Sequence, residues 1–141
     1  MDPLSVTASI ISVLQLTSKF IEYLDSVKDA PKDRANLVDE ASNLNALLRK
    51  LRYRVELAHS NEPWYNEAKL LAIQNGPLDQ YRVILQQLYE KAIATGSLGK
   101  LCHALLWKFN KPEIENMIWK IERLKNHIHL ALDIDHLSVC Y

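Results

Sequence analysis

Between Pro3 and Ser18 the chain carries no charged residue, and that run restricts the possible folds more than any other stretch. At helical spacing Val6, Ile10, Val13, Thr17, Phe20, Leu24 and Val27 alternate in steps of four and three, the seam a packed helix presents to its neighbours. A second apolar row, Leu4, Ala8, Ile11 and Leu14, is separated from the first only by Ser5, Thr7, Ser9, Ser12 and Gln15. A helix that is apolar nearly all round is either sunk in a bundle or able to enter a membrane. Asp2 suits its cap and Pro3 its first turn. The uncharged run spans about 24 Å, against roughly 30 Å for a hydrocarbon layer, which argues against a resident transmembrane span. An acidic start and the lack of a small-residue cleavage site argue against a signal peptide. The reading is a core helix in one state that is exposed in another, with the choice of buried row left open.

The rest of the chain is also helical in pattern. After a break at Lys28–Asp33, with Asp29 as a possible cap, a second helix is expected from Pro31 to about His59. Leu37, Ala41, Leu44, Leu48, Leu51, Val55 and Ala58 keep strict heptad spacing there, as in helices that pack at a shallow angle. This helix is expected to lie antiparallel to the first. A short helix follows from Trp64 to Ile73, with Trp64, Ala68, Leu71 and Ala72 inward, ended by Gln74-Asn75-Gly76-Pro77. Leu78, Tyr81, Leu85, Leu88 and Ala92 mark a third long helix that closes at Thr95-Gly96-Ser97. Gly96 to Asn110 reads as a loop with a short helical piece, Trp107 and Phe109 being anchored on the bundle. The last helix is expected near Pro112, with Ile114, Met117 or Ile118, Ile121, Leu124, Ile128 and Ala131 as its seam and Glu113 and Glu115 at its positive end. No segment reads as strand. The expected fold is therefore all-α, a single domain over residues 1–141, built as an up-and-down bundle of four long helices plus one or two short ones.

With 141 residues, 48 % of them hydrophobic and only 3 Gly, the chain can bury one substantial core. The 17 basic and 17 acidic residues cancel, so net charge does not direct the molecule to nucleic acid. Cys102 and Cys140 lack paired-motif spacing and are expected as thiols in a reducing compartment, which places the protein in the cytoplasm. Gly96-Ser97-Leu98-Gly99-Lys100-Leu101 departs from a phosphate-binding loop, because Ala94 stands where the first glycine belongs and Leu101 where a hydroxyl belongs. His127 and His129, two apart on a helix, point to different faces, while His136 and Cys140 are only two ligands near a chain end. Glu113, Glu115 and Glu122 have no spacing to a Glu-x-x-His element, and Cys102 beside His103 does not form a nucleophile–base pair. No catalytic residue, metal site or cofactor is expected, and the protein reads as a non-enzyme.

The opening Met1-Asp2-Pro3-Leu4-Ser5-Val6-Thr7-Ala8-Ser9, the break Leu24-Asp25-Ser26-Val27-Lys28-Asp29-Ala30-Pro31, and the late Leu106-Trp107-Lys108-Phe109, Glu113-Ile114-Glu115 and Leu130-Ala131-Leu132 resemble the N-terminal domain of fungal STAND proteins, the NLR-like receptors of filamentous fungi. That resemblance implies a HeLo-like bundle, distantly similar to the helical executioner of necroptosis. It also implies an innate-immunity or programmed cell-death role, here without the nucleotide-binding and repeat modules. On this reading the domain self-associates when an upstream receptor releases it, and Leu4, Ile10, Ile11, Leu14 and Phe20 of the first helix enter the plasma membrane. Arg49, Lys50, Arg52 and Arg54 on the outer side of the second helix are candidates for anionic lipid headgroups, to which each cation near the surface contributes about 1 kcal/mol. The alternatives are a protein–protein adaptor without membrane action and an inert scaffold.

Overall fold

The structure is a computed structural model that describes residues 3–27, 31–57, 63–93, 107 and 109–140, with side chains described only from 4 to 133 within those ranges. Five helices occupy them: α1 (Pro3–Ser26), α2 (Asp33–Glu56), α3 (Pro63–Ala72), α4 (Pro77–Ile93) and α5 (Lys111–Cys140). There is no strand among the described residues. The fold is an all-α bundle of four long helices and one short one, as the hydrophobic spacing predicts.

Polar contacts between helices fix their directions. Ser18 faces Asn45, whereas Arg34 donates to the carbonyl of Val27, so α1 and α2 run antiparallel. Phe109, just ahead of α5, packs on Phe20 and Tyr23 near the end of α1, and α5 therefore starts there and runs back. Lys91 meets Glu113 at one end of the α4–α5 pair, and Tyr81 lies beside Leu124 towards the other, so these two are antiparallel as well. Going round the bundle the order is α1, α2, α5, α4, with α3 touching all four.

The core is one cluster drawn from every helix. On α1 the buried row is Val6, Ile10, Val13, Thr17, Phe20, Leu24 and Val27, which resolves the choice left open by the sequence. On α2 it is Leu37, Ala41, Leu44, Leu48, Leu51 and Val55, Ala58 lying outside the described residues. The second helix starts at Asp33 and not at Pro31, because Pro31 accepts a turn hydrogen bond from Arg34 instead of entering the helix. Asp29 as its cap lies outside the described residues. Asn45, which the apolar pattern passes over, is buried in the α1–α2 seam. Its Nδ2 donates to Ser18 Oγ at 3.3 Å, while its Oδ1 has no partner. A buried amide with one specific partner costs stability in exchange for register.

Chain reversals follow local chemistry. α3 ends one residue before Ile73 because Asn75 takes a left-handed conformation, with φ of 62°, that Asn tolerates better than most residues. Gly76 is required there by close approach: a Cβ would sit 2.9 Å from the carbonyl oxygens of Leu70 and Ile73. At the start of α5 Asn110 Oδ1 accepts from the Glu113 N–H, and the Glu113 carboxylate accepts from the Asn110 N–H, a reciprocal capping box. The helix accordingly begins at Lys111, one residue earlier than expected. Hydrogen bonding from Lys91 holds the Glu113 carboxyl below the usual range, so this cap also ties α4 to α5. Trp107 and Phe109 anchor the approach, their rings edge-on at 5.4 Å. The expected loop and helical piece at 96–106 lie outside the described residues, as do Cys102 and His103.

The hydroxyls of Thr17 and Tyr81 meet in the core at 3.1 Å. Thr17 already donates to the Val13 carbonyl at 2.8 Å, so Tyr81 is the donor across the seam. Burial pushes the Tyr81 hydroxyl well above the usual tyrosine range. A folded-state pKa raised in this way gives stability that is fully present below the unfolded value of about 10 and is lost as pH rises beyond it. Urea unfolding between pH 8 and pH 11 is expected to show that decline. In Tyr81→Phe the decline is expected to be weaker, with a loss of about 1 kcal/mol at pH 8 from the missing hydrogen bond to Thr17, whose own bond to the Val13 carbonyl remains.

Candidate functional site

α1 has 24 residues, about 36 Å at roughly 1.5 Å each. Counting the whole helix and not just its uncharged run, Leu4–Ser26 is long and apolar enough to cross a membrane by length and composition. A buried core helix of a bundle passes the same test, and α1 continues beyond the uncharged run of residues 3–18 through Lys19, Glu22 and Asp25.

The five apolar candidates separate by burial. Ile10 and Phe20 are wholly in the core and Leu14 nearly so, whereas Ile11 is half-buried and Leu4 is 78 % exposed. Along the outward face of α1 come Leu4, Ala8 and Ile11, then Gln15, Lys19 and Glu22. Ser5 and Ser12 are exposed beside them and Ile11 is only half-exposed, so about two turns of that face are uncharged, with Leu4 and Ala8 its exposed apolar residues, and the following two are polar.

The four cations separate too. Arg49, Lys50 and Arg52 are exposed on α2. Arg54 is not on that outer face: it is half-buried, with its guanidinium 5.0 Å from the centre of the Trp64 ring. Trp64 occupies the start of α3, which the chain brings beneath the end of α2, and a stacked guanidinium is a structural contact of the kind that favours Arg over Lys. Arg52 pairs with Glu56 at 3.0 Å, an exposed i,i+4 pair worth about 0.3–0.5 kcal/mol that a competing anion can displace.

One cation was missed by reading α2 alone. Lys19 of α1 joins Arg49 and Arg52 around a shallow groove of about 620 Å³, lined also by Leu14, Gln15 and Ser18. Because Ser18 faces Asn45 across antiparallel helices, Arg49 and Arg52 lie about one and two turns nearer the N-terminal end of α1. The basic groove therefore lies beside the middle of α1, next to Leu14 and Gln15, about one turn beyond its apolar end. On the other flank, towards the α3–α4 turn, is an open groove of about 450 Å³ lined by Ala8, Ser12, Ala72, Ile73 and Leu78 among others.

Among the described residues no three His, Cys, Asp or Glu side chains cluster closely enough to hold a metal ion. His127 is half-buried and His129 exposed, on different sides of α5; the side chains of His136 and Cys140 are outside the described set. No family model, curated protein or solved structure matches the chain.

Proposed function

We propose that this bundle is the effector domain of a fungal NLR-like immune or cell-death system, acting by self-association and by entry of α1 into an anionic membrane. The observation that carries the reading is the composition of α1, which is long and apolar enough to span a bilayer and yet leaves Leu4 and Ala8 exposed and Ile11 half-buried near its start. The basic groove of Lys19, Arg49 and Arg52 beside the middle of α1 supports an anionic leaflet as the target.

Energetics sets the order of events. Withdrawing α1 exposes Val6, Ile10, Val13, Leu14, Phe20 and Leu24. At roughly 1.5–3 kcal/mol each the cost is about 9–18 kcal/mol, the scale of a whole domain's net stability of about 5–15 kcal/mol. Release into water would unfold the bundle, so the exposed residues make first contact and lipid then receives the buried row. Several copies held together multiply the affinity of an otherwise reversible helix.

Dye leakage from anionic and neutral vesicles, with light scattering in parallel, tests this. Leakage from anionic vesicles that rises with oligomer fraction is expected, and Leu4→Glu is expected to reduce it at least about tenfold with helix content unchanged. Leakage untouched by Leu4→Glu would rule out entry through this end. The second reading, a protein-binding module without membrane action, is favoured by the apolar groove between α1 and the α3–α4 turn. A folded oligomer that leaks no vesicle supports that module.

A further inference from the structure

A second basic cluster lies away from α1, in a small cleft between the first turn of α4 and the middle of α5. Pro77, Gln80, Tyr81 and Leu124 form its walls, and Lys120, Arg123 and His127 converge on it. The spacing of 120, 123 and 127 puts the three on one face of α5. Among the described residues neither Lys120 nor Arg123 has a carboxylate within ion-pairing distance. Their recorded contacts are with the ring of Trp119, at 5.2 and 5.3 Å from its centre. Both cations are thus held by an aromatic ring and left uncompensated in charge. Lys125, two residues on from Arg123, by contrast reaches Glu40 at 3.2 Å.

Two further features favour an oxyanion. The His127 imidazole lines the cleft, and its Nδ1 is buried without a hydrogen-bond partner, a deficit of about 1–3 kcal/mol that an oxygen acceptor in the cleft relieves once the ring turns that nitrogen towards it. The Gln80 amide, also in the lining, already donates to the Asn75 carbonyl at 2.8 Å and has one further N–H. The nearby Asp79 carboxylate does not line the cleft and is engaged by Arg82 at 2.7 Å and by the Asn75 N–H at 3.0 Å. The cleft holds about 50 Å³, room for roughly three or four water-sized oxygens at about 10–15 Å³ each. That suits one tetrahedral group.

We propose that Lys120, Arg123 and His127 form a binding site for a single phosphate group, carried either by a lipid headgroup or by a soluble phosphate. Trp119, 52 % exposed and in contact with both Lys120 and Arg123, is a residue type that suits a headgroup region. The site is independent of α1 and of the reading of its function.

The test is a titration of the full chain with inorganic phosphate, followed by side-chain NMR of His127 and Arg123, against sodium chloride at equal ionic strength. Saturable shifts with phosphate alone are expected. The double variant Lys120→Gln/Arg123→Gln is expected to weaken binding at least about tenfold while its amide spectrum stays folded. Lys32→Gln/Lys111→Gln, which removes two exposed cations outside both basic grooves, is expected to leave it unchanged. Shifts that follow ionic strength, or that are lost equally in both double variants, would overturn the site. Sedimentation with phosphatidic acid vesicles, compared with phosphatidylcholine alone, separates the sources. Vesicle binding that depends on Lys120 and Arg123 identifies a headgroup, and phosphate binding without it identifies a soluble ligand.

Discussion

Trp64→Ala is expected to destabilise the bundle by about 3–5 kcal/mol. Trp64 is fully buried and is among the largest side chains that are. Its ring meets Tyr65 edge-on at 6.3 Å and carries the Arg54 guanidinium on its face, so it joins the end of α2 to α3. Removing the indole leaves a cavity and also deprives a half-buried cation of its aromatic partner, which adds to the loss of apolar burial. Unfolding entropy of roughly 2.1 cal/mol/K per residue converts the loss to a fall in Tm of about 10–17 °C for a chain of 141 residues. Calorimetry of Trp64→Ala and Arg54→Ala checks this. Arg54→Ala is expected to cost about 1–2 kcal/mol, since the ring stays packed and only its cation and aliphatic stem are lost. Equal losses in the two variants would mean that the cation and not the ring holds α3 in place.

The helices and their buried rows were legible because burial on one side of a helix leaves a period near 3.6 in the sequence, a signal that needs no knowledge of neighbours. The α1 row from Val6 to Val27 and the α4 row from Leu78 to Ala92 are read directly in this way. The stops at Asn75-Gly76 and Asn110 were legible because backbone geometry there demands particular residues. The candidate sites were only partly legible, since each joins residues from separate helices. Lys19 and Arg49 are 30 positions apart and meet only after α1 and α2 have paired. Arg54 looked like a surface cation because nothing in α2 announces that Trp64 will lie beneath it. His127 drew notice as a metal ligand, while its relation to Lys120 and Arg123 could have been found from the three-four spacing. Tyr65 and Asn45 are buried yet fall off the simple apolar rows, one because α3 is covered on two sides and the other because it bonds across a seam.

The other large effect concerns α1, where the same charge at two positions should give opposite outcomes. Ile10→Glu places a carboxyl at a site with no exposure, within the apolar core cluster. The lost burial costs about 2–3 kcal/mol, and an uncompensated buried charge adds at least about 3–5 kcal/mol. Together these approach the net stability of a typical domain, so cooperative unfolding is expected to disappear at pH 7 in urea titrations. Burial raises the pKa of such a carboxyl. Its neutral form dominates once pH falls below that raised value, so partial recovery of the transition is expected at about pH 4–5. Leu4→Glu carries the same charge at a residue that is 78 % exposed and in the first turn of α1, where an acid suits the helix dipole. Its unfolding free energy is expected to stay within about 0.5 kcal/mol of the parent. Comparable destabilisation in the two variants would mean that the N-terminal turns of α1 pack against something on both faces. In that case Leu4 could not make first contact with a membrane, and the apolar end of α1 would have to be read as an interface within a larger assembly.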